Sequence, residues 1–326
     1  NLSNFNNSKN LMENYSKIQK ILHKIIFESN FISQSIYELE KILFLKKTKN
    51  LFRNNHLFIS SLPRSGTTFL LNYFYETGQY ASLTYNDMPF VMATNFYSIF
   101  KKKGEIIDKE RLHGDGLRYN IESPESFDEI FFRTISQKNF QEFKNFVNLI
   151  LLNKKKDKYL SKNNLNYTRI NDLISLFPNV KILIPIRDPL DHSNSLYEQN
   201  KNFLLNQKKD KYIKQYMNYL GHHEFGIDHK YWNKPIIFKD KQDINYWLEQ
   251  WYLFYNDVYN KYKNNKNCLF VNYEKLYDTE YIKKILSFIK CDAQNKLIFV
   301  SKKKQIKYSF NDNLKKKCLE LFKNIS

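Results

Sequence analysis

Six consecutive residues, Pro63, Arg64, Ser65, Gly66, Thr67 and Thr68, gather a cation, hydroxyls and a glycine into the space of one turn. An apolar run from Leu57 to Leu62 precedes them, and an amphipathic run follows from Thr67 to Thr77, where Gly78 stops it. Strand, tight turn and helix in that order aim backbone N–H groups and a helix dipole at one point. The chemistry on offer is therefore the binding of a phosphate or a similar anion.

The generic device of this kind, the nucleotide triphosphatase loop GxxxxGK[ST], does not fit. Counting back from Gly66, its first glycine falls on Ser61, and Thr67 stands where its lysine belongs. The cation is instead Arg64, ahead of the glycine. A second constellation lies in "VKILIPIRDPLDHSNS", an apolar run without alternation, as a parallel strand covered on both faces requires. Pro185 cannot donate to a ladder, so it belongs near the strand's end or beside an incomplete neighbour. Asp188 then caps a helix whose first residue is Pro189. Ser195 lies seven residues past Asp188, two helical turns on and on the same face, where Arg187 at the strand end can meet it.

These residues need a frame. Apolar positions at helical spacing between Leu11 and Leu45 predict one or two helices ahead of the core, and "KYLSK" predicts a short strand ending at Lys162. Further strands are expected over Leu57 to Leu62, Tyr80 to Tyr85 and "CLFVNYE". Helices are expected over Thr67 to Thr77, Phe127 to Phe132, Phe140 to Leu152, Asn166 to Phe177, Ile244 to Tyr262, Leu276 to Ile289 and Leu314 to Phe322. Asn86 to Asn120 reads as loop-rich, and Trp247 and Trp251, at i and i+4, read as core. Strands alternating with helices give an α/β fold with a parallel sheet. The expected organisation is a helical appendage over 1–55 and one domain over 56–326.

Composition sets bounds on partners. The 326 residues include 52 Lys and Arg against 33 Asp and Glu, a formal charge of +19 that would ordinarily point to a polyanion. Only 7 of the 52 are Arg, however, and Lys, Asn, Ile, Phe and Tyr are all abundant, so the charge reads as a solvated lysine-rich surface rather than a nucleic-acid face. In that background an arginine marks a place where lysine's point charge does not suffice, and Arg64 and Arg187 are such places. No apolar run reaches the ~18 residues of a membrane span. Three scattered cysteines, Cys268, Cys291 and Cys318, without CxxC spacing, read as reduced thiols in a cytoplasmic protein with neither disulfide nor zinc. The adjacent His222, His223 and Glu224 cannot readily converge on one ion, so no metal is expected.

"PRSGTT" resembles the phosphosulfate-binding loop of the sulfotransferases that use 3′-phosphoadenosine 5′-phosphosulfate (PAPS). The resemblance implies that Pro63 to Thr68 hold the 5′-phosphosulfate and that Arg187 and Ser195 contact the 3′-phosphate. It extends to Lys162, in the place of a lysine that approaches the transferring sulfonate in the tyrosylprotein and related branches. It extends also to Tyr273 in "VNYEKL", a late strand-to-helix junction near the nucleotide. The matches run in order from Leu57 to about Ile289. They imply a P-loop-like domain and an enzyme that moves a sulfonate from PAPS to a hydroxyl, releasing adenosine 3′,5′-bisphosphate (PAP) without a metal.

The family places a glutamate base after the strand that follows the loop helix. Here Asp87 in "YNDMPF" stands there, and His113 with Asp115 in "RLHGDG" competes for the role or merely forms a turn. The acceptor is a hydroxyl of a glycan, lipid, small molecule or peptide, and excess lysine would suit an acidic one. An ATP-dependent phosphotransferase and a non-enzymatic polyanion-binding protein are the competing classes.

Overall fold

A computed structural model describes residues 17–49, 55–101, 109–110, 118–135, 139–234, 236–292 and 308–326. Two helices, α1 (Lys17–Glu28) and α2 (Asn30–Phe44), precede strand β1 (Leu57–Ile59) and helix α3 (Thr67–Glu76). Strand β2 (Tyr80–Ala81), helix α4 (Thr94–Phe100) and a ribbon of β3 (Lys109–Glu110) with β4 (Arg118–Tyr119) follow. Helices α5 (Asp128–Thr134) and α6 (Gln141–Lys154) lead to β5 (Lys158–Lys162), α7 (Ile170–Leu176) and β6 (Lys181–Ile186). Next come α8 (Pro189–Lys209), α9 (Lys211–Leu220), α10 (Ile244–Tyr262), β7 (Cys268–Asn272), α11 (Thr279–Ile289) and α12 (Asp312–Ile325).

Five strands form one sheet in the order β2-β5-β1-β6-β7, and every pair in it is parallel. Side chains alternate across it. Leu57 and Ile59 face a layer with Leu70 and Phe74 of α3 and Ile282 and Ile285 of α11, whereas Phe58 faces the larger core with Phe143, Ile182 and Trp247. Both faces are covered, which is why β1 and the stretch of β6 from Ile182 to Ile186 are unbroken apolar runs. Trp247 and Trp251 are fully buried, as their spacing predicted.

Strand β1 is shorter than its apolar run because Ser60 to Leu62 already turn away, although the Ser60 N–H still donates to the Leu183 carbonyl at 3.0 Å. Pro185 sits just past this end of β1 while its other flank pairs with Val271, so it has the incomplete neighbour its missing N–H demands. Its carbonyl accepts from the hydroxyls of Ser61 at 2.6 Å and Tyr255 at 2.8 Å. Strand β2 stops at Ala81, not Tyr85, because Thr84 to Asp87 form a capped turn. Asn166 to Phe177 divides into a 3₁₀ segment and the shorter α7. Helix α9 was unannounced, its Ile213, Tyr216, Met217 and Leu220 stripe lying among lysines, and α4 interrupts the expected loop.

The leading helices pack on the core rather than standing apart from it. Tyr37 is fully buried, Lys41 pairs with Glu142 of α6 at 3.1 Å, and Glu40 accepts from the N–H groups of Asn95 and Phe96 at 2.9 Å each, at the start of α4. Burial pushes the Glu40 carboxyl up despite these donors. Among the described residues no helix is long and apolar enough to cross a membrane.

Candidate functional site at the carboxyl edge of the sheet

In an open parallel sheet the crevice beyond the carboxyl ends of the strands is where ligands bind. Four of the five strand ends here carry a residue singled out from the sequence: the Pro63–Thr68 turn after β1, Lys162 ending β5, Arg187 after β6 and Tyr273 after β7.

The turn after β1 passes twice through the left-handed region, at Arg64 (φ 70°) and Gly66 (φ 93°). Such turns collect successive N–H groups on one concave side. Arg64 has no glycine's freedom, so its neighbours must hold the conformation. His192, in the first turns of α8, donates from Nε2 to the Pro63 carbonyl at 2.8 Å, and the Arg187 Nη1 reaches the Arg64 carbonyl at 3.5 Å. The Ser65 hydroxyl donates to the Leu62 carbonyl at 2.7 Å. Burial, with the charges of Arg187 and Arg64 beside it, pushes His192 down to about 3, so it works as a neutral imidazole whose Nε2 carries the proton. Helix α3 begins at Thr67 with no side-chain cap from Gly66, which leaves its first N–H groups to an incoming anion.

Gly66 is required by contact as well as by φ. A Cβ there would lie 2.4 Å from Cδ2 of the Tyr273 ring. The same ring has the Arg187 guanidinium 5.2 Å from its centroid. On the other side Arg64 donates from Nε to the Ser195 hydroxyl at 3.2 Å. Gly66, Tyr273, Arg187, Arg64 and Ser195 therefore form one contiguous surface. Asp188 supports it by capping α8 through Leu190 and Asp191 at 2.9 and 3.0 Å, while its own N–H donates to Glu274 Oε1 at 3.0 Å. The Arg187 Nε is buried and has no hydrogen-bond partner among the described residues.

One strand over, Lys162 lies opposite Ile59 in the β1–β5 register. Its Nζ is 3.7 Å from Oε1 of Glu125, with 9% of the lysine side chain and 8% of the glutamate exposed. Glu125 accepts from the Tyr85 hydroxyl at 3.0 Å and from the Ser126 N–H at 2.8 Å, and its own N–H donates to Leu83 just past β2. On the other face of β5, Asp128 accepts from Tyr159 at 2.8 Å and from Ser161, and burial raises its carboxyl to about 6. Arg169 and Asn163 bind Glu129 at 2.8 and 2.9 Å.

Asp87 is in a different setting from the other candidates. Oδ2 accepts from the Thr84 N–H at 2.8 Å and hydroxyl at 3.0 Å, and Lys154, in the last turn of α6, donates to both carboxylate oxygens at 2.9 and 2.8 Å. With 3% of the residue exposed, the carboxylate anchors the turn that ends β2. His113 and Asp115 lie outside the described residues. Glu125, His192, Tyr255 and Glu274 were not singled out from the sequence. Only His192 left a signal there, four residues after the capping Asp188 and hence facing back toward the turn.

A family model described as "Sulfotransferase domain" matches residues 54–324. Among solved structures, a sulfotransferase of Mycobacterium avium superposes with a TM-score of 0.48 at 9% identity, covering 95% of this chain and 78% of that one. One of Mycobacterium tuberculosis H37Rv gives 0.46 at 9% identity, covering 93% and 81%, and one of Alicyclobacillus acidocaldarius gives 0.39 at 12%, covering 82% and 91%. No match is found among the curated proteins.

Proposed function

We propose, for a chain that belongs to the sulfotransferase domain family, that it transfers the sulfonate of PAPS to a hydroxyl group and releases PAP. The observation that carries this reading is the convergence of Arg187, Arg64 and Ser195 with Gly66 and Tyr273 on one surface beside the turn. Two guanidinium groups and a serine hydroxyl gathered there suit an anion with further acceptor oxygens beyond the 5′ end. An ordinary nucleotide triphosphate offers nothing beside the ribose at that point.

When bound, PAPS supplies a sulfur electrophile attached to a good leaving phosphate. The residues divide the work around it. The N–H groups and hydroxyls of Ser65, Gly66, Thr67 and Thr68 hold the 5′ end, and Pro63 keeps the turn in register through His192. Arg187 and Ser195 read the 3′-phosphate, with the Tyr273 ring against the nucleotide side. Arg64 joins the two phosphate sites, because its guanidinium already touches Ser195. Lys162 offsets the charge that grows on the sulfonate as the bond to phosphate stretches. The division of the chain that goes with this reading is a transferase domain over 56–326 buttressed by the helices of 1–55.

The cheapest test is selective stabilisation. A ligand that binds only the native state raises the melting temperature by mass action. PAP should therefore raise it well above any effect of 5′-AMP or ATP at equal concentration. Equal shifts from PAP and 5′-AMP would remove the 3′-phosphate site, and a larger shift from ATP would favour phosphoryl transfer.

A further inference from the structure

We infer that Glu125 is the group that takes the acceptor's proton, an assignment that rests on the reading of this site as a sulfonate-transfer centre. Along the carboxyl edge of the sheet the order is Tyr273 after β7, Arg187 after β6, the turn after β1, Lys162 at the end of β5 and Glu125 against Leu83 beyond β2. The nucleotide contacts occupy the β7 to β1 half. Displacement at sulfur is in line, so the attacking oxygen enters from the side opposite the leaving phosphate, which is the β5 to β2 half. Lys162 stands at the boundary between the two. The carboxylate in contact with it there is Glu125, 3.7 Å away. A lysine placed to touch the sulfonate and a carboxylate next to it bracket the position of the incoming hydroxyl.

The surroundings of Glu125 suit a base. The Tyr85 hydroxyl at Oε2 and the Ser126 N–H at Oε1 fix the plane of the carboxylate. The segment that bears it is clamped to the end of β2 by bonds from Glu125 to Leu83, Tyr85 to Ser123 and Asn86 to Ile121. Tyr85 is itself packed against Tyr119 at 5.0 Å and Phe127 at 5.4 Å. Asp87 is paired with Lys154 of α6 rather than with the lysine that ends β5.

The step balances as follows. The acceptor oxygen forms a bond to sulfur while its proton passes to a Glu125 carboxylate oxygen. The bond from sulfur to the 5′-phosphate oxygen breaks, and PAP leaves with that electron pair. Glu125 ends the step as the neutral acid and returns its proton to water.

The test uses the full chain, ³⁵S-labelled PAPS and two acceptors: the alcohol that the wild type sulfates fastest in a panel of sugars and alkyl alcohols, and 4-nitrophenol at a pH where it is ionised. Glu125→Gln should lower kcat with the alcohol by about 10²- to 10⁴-fold, lose less than about tenfold with the phenolate, which needs no base, and keep the PAP-induced rise in melting temperature. If Glu125→Gln does not fold, Glu125→Asp carries the same comparison with the carboxylate drawn back, and a selective loss with the alcohol is again expected. A wild-type rate with the alcohol overturns the assignment. So does an equal loss with both acceptors, which would mean that Glu125 only positions Lys162. A wild type that neither responds to PAP nor labels any acceptor fails at the sulfotransferase reading, and Glu125 falls with it. A transferring wild type beside a fast Glu125→Gln fails at Glu125 alone.

Discussion

Gly66→Ala is expected to lose PAP binding by about 100-fold or more while remaining folded. Two costs coincide at this position. A non-glycine residue in the left-handed region costs about 1–2 kcal/mol, and Gly66 sits at φ 93°. The added Cβ would also lie 2.4 and 2.7 Å from Cδ2 and Cε2 of Tyr273, closer than carbon atoms approach. Tyr273 must therefore swing away, and the Arg187 guanidinium that packs on its ring loses that support. The turn and the proposed 3′-phosphate site would thus be disturbed together by one methyl group. Gly78→Ala is the matched control. It has φ 69° but nothing within 4 Å of the new Cβ, so it bears the backbone cost without the collision. Isothermal calorimetry with PAP on both variants shows whether the loss is specific to the turn after β1. Near-wild-type affinity in Gly66→Ala would mean that the nucleotide does not lie against this turn.

Arg187→Ala should weaken PAP binding by about 1.5–3 kcal/mol, or roughly 10- to 150-fold, the range for a charge-assisted contact. If, as proposed, the contact it removes is to the 3′-phosphate, the same change should leave 5′-AMP binding nearly untouched. Selectivity for PAP over 5′-AMP, measured by calorimetry, is thus the quantity that collapses. A parallel loss for both ligands would instead point to the structural link between the Arg187 side chain and the Arg64 carbonyl.

What the sequence disclosed about this site follows from how local each signal is. The end of β5 at Lys162 and the capped start of α8 at Asp188 and Pro189 are set by neighbouring residues, and they stand where the sequence put them. The odd proline at 185 was legible too, because a missing N–H leaves few places in a ladder. Hydrophobicity alone misled at Leu62, which is buried yet lies in the turn, since burial does not require extension. Helix α9 was hidden because the lysine-rich stretch from Lys208 to Lys214 reads as a polar break, although its apolar face is spaced for a helix. Glu125 could not be found from its neighbours in sequence. Its position depends on the pairing of the 83–86 segment with 121–125 and on a lysine 37 residues away, and neither is a local property. Asp87 stands in the expected place along the chain, and what the sequence did not show is that Thr84 and Lys154 hold its oxygens.

The most direct measurement is the transfer itself. The full chain, incubated with ³⁵S-labelled PAPS and a panel of sugars, alkyl alcohols, phenols and tyrosyl peptides, should yield labelled acceptor and PAP in equal amounts, and far less of both with Gly66→Ala. PAPS left intact by the wild type across the whole panel, or label appearing from γ-³²P ATP instead, would contradict sulfonate transfer as the function of this site.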